Sequence, residues 1–132
     1  MATPNPYQAY QQNSVTTASP GELTSMLYTG CLKFIGKAKA AIENNQIEER
    51  NINIQKAQNI VRELMVTLNM DYEVSKNMLS IYEYMNSRLT EANIKSDIAA
   101  LVEVEDLTIQ FRDTWKQVIQ MNRQKQFQGG SA

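Results

Sequence analysis

From residue 20 onwards, apolar residues recur at intervals of three and four, the spacing that lines up side chains on one face of an α-helix. The first stripe runs through Leu23, Leu27, Gly30, Cys31, Phe34, Ala38, Ala41 and Ile42, and Asn44-Asn45-Gln46 interrupts it. A second holds Ile54, Ala57, Ile60, Val61, Leu64, Met65 and Leu68, flanked by polar Gln55, Lys56, Gln58, Arg62 and Glu63. The phase is lost around Asn69-Met70-Asp71. A third stripe follows through Val74, Met78, Ile81, Tyr82, Met85, Leu89 and Ala92. Beyond the break at 93–97 the fourth carries Leu101, Val104, Leu107, Phe111, Trp115 and Val118.

The punctuation agrees with four long helices. After Pro20 there is no proline, and glycine occurs only at 21, 30 and 36 before the C-terminal tail. Ser19-Pro20-Gly21-Glu22 reads as a capping box, with Ser19 at N-cap, proline at the first helical position and Glu22 two residues on. Asp71 is placed to cap the third helix and Ser96 or Asp97 the fourth. The predicted spans are 20–44, 47–70, 72–94 and 97–123, with an arm at 1–19 and a flexible tail at 124–132. Helices of this length joined by such short connections fold back on one another. The fold class is therefore all-α, an elongated antiparallel four-helix bundle of about 35–40 Å. Its core is expected to include Leu23, Leu27, Phe34, Leu64, Leu68, Tyr82, Leu89, Leu101 and Trp115.

The stripes are wider than a bare coiled-coil seam. Ile60-Val61 and Leu64-Met65 double up on the second helix, and Leu79 and Tyr84 flank the third stripe. Extra width serves either a globular core or a groove for a partner's helix. The arm has anchors of its own, Tyr7, Tyr10 and Val15, in an otherwise polar Gln/Asn/Thr-rich stretch. Disorder follows from having little to bury, so an anchored arm is expected to dock on the body reversibly. Tyr7 and Tyr10 share a face if the arm forms a short extra helix.

Composition narrows the function. The 132 residues carry 13 basic and 14 acidic side chains, a net charge of -1, which leaves no electrostatic footprint for nucleic acid. Lys33, Lys37 and Lys39 come nearest to a basic cluster, and they read as a solvated face. The chain has no histidine, which removes the commonest general base and zinc ligand together. No phosphate-binding glycine loop is present. Neither a metal nor another cofactor is expected. The single Cys31 reads as a buried small hydrophobe. The N-terminus lacks the charge and apolar run of a signal peptide, and no apolar stretch is long enough to cross a bilayer, so the cytoplasm is expected without membrane insertion. An all-α enzyme of the chorismate-mutase type needs basic residues converging on a buried anionic pocket. Arg50, Arg62, Arg88, Arg112 and Arg123 do not fall on the stripes. A self-assembling bundle without a client is the other alternative.

One ordered set of residues resembles a known family. Tyr7-x-x-Tyr10, Val15-x-Thr17-Ala18-x-Pro20-x-x-Leu23 and Met26-Leu27-Tyr28-x-Gly30 are similar to the opening of the flagellar secretion chaperones of the FliS family. Lys56-Ala57-Gln58-Asn59-Ile60-Val61-x-Glu63-Leu64, Ile81-Tyr82-Glu83-Tyr84-Met85, Leu89-x-x-Ala92-Asn93, Leu101-x-x-Val104 and Trp115 continue the likeness over residues 5–119. The composition points to a Gram-positive, Bacillus-like member. Thr29, and Met70-Asp71-Tyr72 before the third helix, depart from the family pattern. The resemblance implies a non-enzymatic bundle in the cytoplasm, free as a monomer or weak dimer. Its implied client is the C-terminal segment of flagellin, held back from premature polymerisation and presented to the export gate component FlhA, with a functional link to FliW. It also implies client-binding roles for Tyr7, Tyr10, Val15, Gln55, Lys56, Gln58 and Ile60.

Overall fold

The computed structural model describes residues 20–130, with side chains from 21 to 124. Four helices account for nearly all of it: α1 (Pro20–Glu43), α2 (Ile47–Thr67), α3 (Glu73–Lys95) and α4 (Ile98–Gly130). Each helix packs on its sequence neighbour, and α4 returns to pack on α1, which closes an up-down-up-down bundle. The described residues contain no strand.

The connections show why the helices stop where they do. Asn45 (φ 57°) turns the chain between α1 and α2, and Ser96 (φ 52°) does so between α3 and α4. Asparagine tolerates this left-handed conformation better than most residues. Asp97 caps α4, its carboxylate accepting the Ala100 N–H at 3.3 Å, as the sequence suggests. Asp71 does not cap α3. Tyr72 holds the N-cap position without a side-chain bond. Asn69 instead accepts the Asp71 N–H at 3.0 Å and folds the connection locally. That side-chain bond competes with the helix. Accordingly α2 ends at Thr67 rather than 70, with Leu68 extended. The Ser19 cap and the proposed arm helix lie outside the described residues.

The largest departure is at the other end of the chain. α4 continues to Gly130, where a loose tail was expected from 124. Gln124-Lys125-Gln126 are sound helix formers, and the first breakers are the two glycines that end the helix. At 33 residues α4 is about 50 Å long, well beyond the 24-residue α1 beside it.

The core is continuous but uneven. Leu27, Phe34, Leu64, Tyr82, Leu89 and Leu101 are buried, as are Tyr28 and Ile35, which the stripe had omitted. Leu68 and Trp115 are half-buried against the core, and Leu23 is half-buried near the start of α1. Cys31 is fully buried, and burial pushes its thiol up to about 12 against a weaker opposing hydrogen bond from Thr108. It is an inert packing residue, because the thiolate is the reactive species.

At the loop end, Arg50 acts as a clasp. Its Nε donates to Asn93 Oδ1 at 3.0 Å, its Nη1 to Ser96 Oγ and its Nη2 to Asn51 Oδ1 at 3.1 Å, which ties the start of α2 to the α3–α4 turn.

Candidate functional site: an apolar cleft between α3 and α4

The bundle does not close along its whole length. Among the described side chains the last buried residue on α4 is Thr108, and on α3 Ser75 is the one buried residue before Tyr82. Between them lies an apolar cleft of about 440 Å³. Val74, Met78 and Ile81 form one wall; Leu107, Phe111, Trp115 and Val118 form the other. These residues belong to the third and fourth stripes, at helical spacing, so each helix contributes a partly buried apolar edge to the cleft. Val74 is 61% exposed. Val66 in the last turn of α2, and Met70 and Tyr72 on the α2–α3 connection, are also exposed.

The floor is rigid and aromatic. Phe111 stacks on Tyr28 at 5.9 Å with nearly parallel rings and meets Tyr82 at 5.2 Å. The hydroxyls of Tyr28 and Tyr82 share a buried hydrogen bond of 2.6 Å across the bundle. Burial raises both phenols above the ordinary tyrosine value. Trp115 Nε1 donates to the Gly21 carbonyl at 2.7 Å and pins α4 to the start of α1. The approach is close there: a Cβ on Gly21 would meet Ile119 at 3.4 Å. Farther out, Arg123 reaches Glu22 at 2.8 Å.

None of the lining residues is charged, and the polar ones, Gln110 and Thr114, sit one turn apart on α4. The cleft therefore offers hydrophobic contact with a thin polar rim. Among the described residues no group of acidic or cysteine side chains could hold a metal ion. Arg62, Arg88 and Arg112 each bond locally, to Asn59, to Glu91 with Glu103, and to Asp113. They do not converge on a pocket, so the arrangement an anionic-substrate enzyme requires is missing among the described residues.

The structure separates the residues grouped by family resemblance. Tyr7, Tyr10 and Val15 lie outside the described residues. Gln55 is exposed on α2. Gln58 fastens α2 to α3 through Thr90 Oγ1 at 2.9 Å and the Asn86 carbonyl. Ile60 is wholly buried in the core, so a client could touch it only by opening the bundle. Lys56 leans over the Phe34 ring on the α1 side. None of these four α2 residues lines the α3–α4 cleft. Val74, Met78, Ile81, Leu107, Phe111, Trp115 and Val118 were visible in the sequence as stripe positions, whereas the doubled positions Ile60-Val61 and Leu64-Met65, and the flanking Leu79 and Tyr84, do not line the cleft.

The described residues thus form a four-helix bundle with an apolar cleft between α3 and α4. The chain belongs to the FliS family of flagellar secretion chaperones: the family described as flagellar protein FliS matches residues 3–122. It is 56% identical over 130 residues to the flagellar secretion chaperone FliS of Bacillus subtilis (strain 168), covering 98% of both chains. Against the flagellar secretion chaperone FliS of Escherichia coli (strain K12) the identity is 33% over 117 residues, covering 83% of this chain and 86% of that one. A crystal structure titled as a flagellar chaperone from bacteria superposes with a TM-score of 0.72 at 16% identity. It covers 86% of this chain and 94% of its own, which establishes the shared bundle fold. The Bacillus-like character read from the sequence agrees with these relatives.

Proposed function

We propose that this chain is a cytoplasmic export chaperone whose α3–α4 cleft receives the C-terminal segment of flagellin. One observation carries the reading: a chain of the flagellar chaperone family leaves a long apolar edge of two helices uncovered. Uncovered apolar surface beside a rigid floor suits a segment that brings its own apolar residues at helical spacing. The client is unfolded as a monomer and orders on the chaperone. Such coupled binding buries about 1,000–3,000 Å² and gives back roughly 2–5 kcal/mol in ordering. While the segment is held it cannot polymerise, and the loaded complex passes to the export gate through FlhA, with FliW linked through the shared flagellin. The arm with Tyr7 and Tyr10 contributes to this site, as rim or as gate, because flat amphipathic rings suit a surface that is wet in one state and covered in another.

The test is co-purification with intact flagellin and with flagellin lacking about 40 C-terminal residues, a span suited to a long helix-in-groove ligand. The intact client is captured and the truncated one is not. Val118→Asp, which places a carboxylate on the cleft wall, abolishes capture while the melting temperature stays near that of the parent. Equal capture of both clients, or full capture by the Val118 variant, refutes the assignment.

A further inference from the structure

Three ammonium groups converge on one aromatic ring on the opposite side of the molecule. Lys33 and Lys37, one turn apart on α1, bring their Nζ atoms to 5.7 and 5.8 Å from the centroid of Phe34. Lys56 on α2 brings its Nζ to 5.3 Å from the same centroid. The sequence had grouped Lys33 and Lys37 with Lys39. In the structure Lys39 turns away to α4, where it pairs with Glu105 at 3.0 Å, and Lys56 takes its place.

These charges have no acid of their own. All fourteen Asp and Glu side chains of the chain fall between Glu22 and Asp113, within the described residues. None forms an ion pair with Lys33, Lys37 or Lys56. Residues 1–19 and 125–132 contain no Asp or Glu. Like charges that gather instead of spreading into solvent keep their mutual repulsion until an anion arrives. The electronegative ring face partly offsets that repulsion and fixes where the cations sit.

We propose that the Lys33–Lys37–Lys56 cluster on the outer α1–α2 face is a docking surface for an acidic segment of a partner protein, separate from the α3–α4 cleft. Two helices supply the cluster, so it is compact and set by tertiary structure, and it complements a short run of carboxylates. With a net charge of -1 the rest of the molecule gives no general attraction for polyanions. That favours a local acidic peptide over a membrane or a nucleic acid, which need broad basic surfaces. The assignment stands whether or not the cleft binds flagellin.

The probe is a fluorescein-labelled decaglutamate peptide, titrated by anisotropy at low and at 0.3 M salt, with amide chemical shifts mapping its position. The parent protein binds it at low salt, with shift changes centred on residues 33–37 and 56. The triple variant K33Q/K37Q/K56Q binds at least tenfold more weakly, and the double variant K33Q/K37Q, which keeps Lys56, still captures flagellin like the parent. A control triple, K76Q/K95Q/K116Q, removes the same charge from dispersed exposed positions and changes peptide binding less than twofold. Equal losses in the two triples, or shift changes elsewhere, overturn the proposal. So does tighter binding of the parent to phosphatidylserine vesicles or to single-stranded DNA than to the peptide. Loss of flagellin capture by the K33Q/K37Q double assigns the lysines to the client site and overturns a separate surface.

Discussion

The two ends of this bundle are built from the same four stripes and finish differently. At the loop end Ala38, Ile54, Leu89, Ala92 and Leu101 are completely buried, and Arg50 bridges the connections. At the opposite end Met78, Ile81, Leu107, Phe111 and Trp115 reach only partial burial against that core. The loop end has small residues that let helices approach closely, whereas the cleft end has large, flexible or aromatic ones. Small residues favour tight contact, and bulky ones left without neighbours make a cleft. One end is closed by full burial, and the other leaves apolar side chains only partly covered.

The sharpest way to break that contrast is to delete volume at matched positions on α3. Leu89→Ala leaves a cavity in the closed end and costs about 3 kcal/mol by denaturant unfolding. Met78→Ala, at the cleft, costs about 1 kcal/mol because solvent fills the space. Equal losses would mean that the two ends are equally packed.

Arg50→Met comes next. It removes the clasp and leaves the Asn93 acceptor without its donor, lowering stability by about 2 kcal/mol. Flagellin capture is unaffected, because the clasp lies at the end remote from the cleft. Trp115→Phe loses the bond to Gly21 and costs about 1.5 kcal/mol. Trp115 is the chain's single tryptophan, so its emission in the parent reports on the cleft directly. Binding of the flagellin segment shifts that emission to shorter wavelength, and no shift would place the client elsewhere.

A smaller effect appears at alkaline pH. Tyr28 and Tyr82 stay protonated in the fold above the ordinary tyrosine value of 10.0, chiefly because burial disfavours the phenolates. The unfolded chain ionises first, so their contribution is complete below pH 10 and is lost as the pH rises beyond it. Each such group steepens the decline by up to about 1.4 kcal/mol per pH unit. Tyr82→Phe makes the fall in stability above pH 10 shallower, and an unchanged slope would sink this account. The smallest effect concerns the arm. Replacing Tyr7 and Tyr10 together with Ala weakens the flagellin complex by about 1 kcal/mol, measured by calorimetry, and leaves helicity intact.

The helices and their order were legible in the sequence because a stripe at intervals of three and four depends on local spacing alone. Family membership was legible too, through motifs running in order along most of the chain. Where the residues grouped by that resemblance fall in the fold was not. Ile60 and Gln58 share a motif with Lys56, yet the fold sends Ile60 into the core, Gln58 to α3 and Lys56 to Phe34. Neighbours in sequence on a helix diverge by about 100° per residue, so one motif spans several environments.

Sequence alone determined four amphipathic helices, the turns between them and the chemistry the chain lacks. Those follow from propensity, periodicity and composition, which act over a few residues. Tertiary structure alone decided which apolar positions find a covering helix and which remain as the α3–α4 cleft. It also decided which lysines meet over Phe34. Both depend on distances between helices far apart in the chain, and no local pattern specifies them.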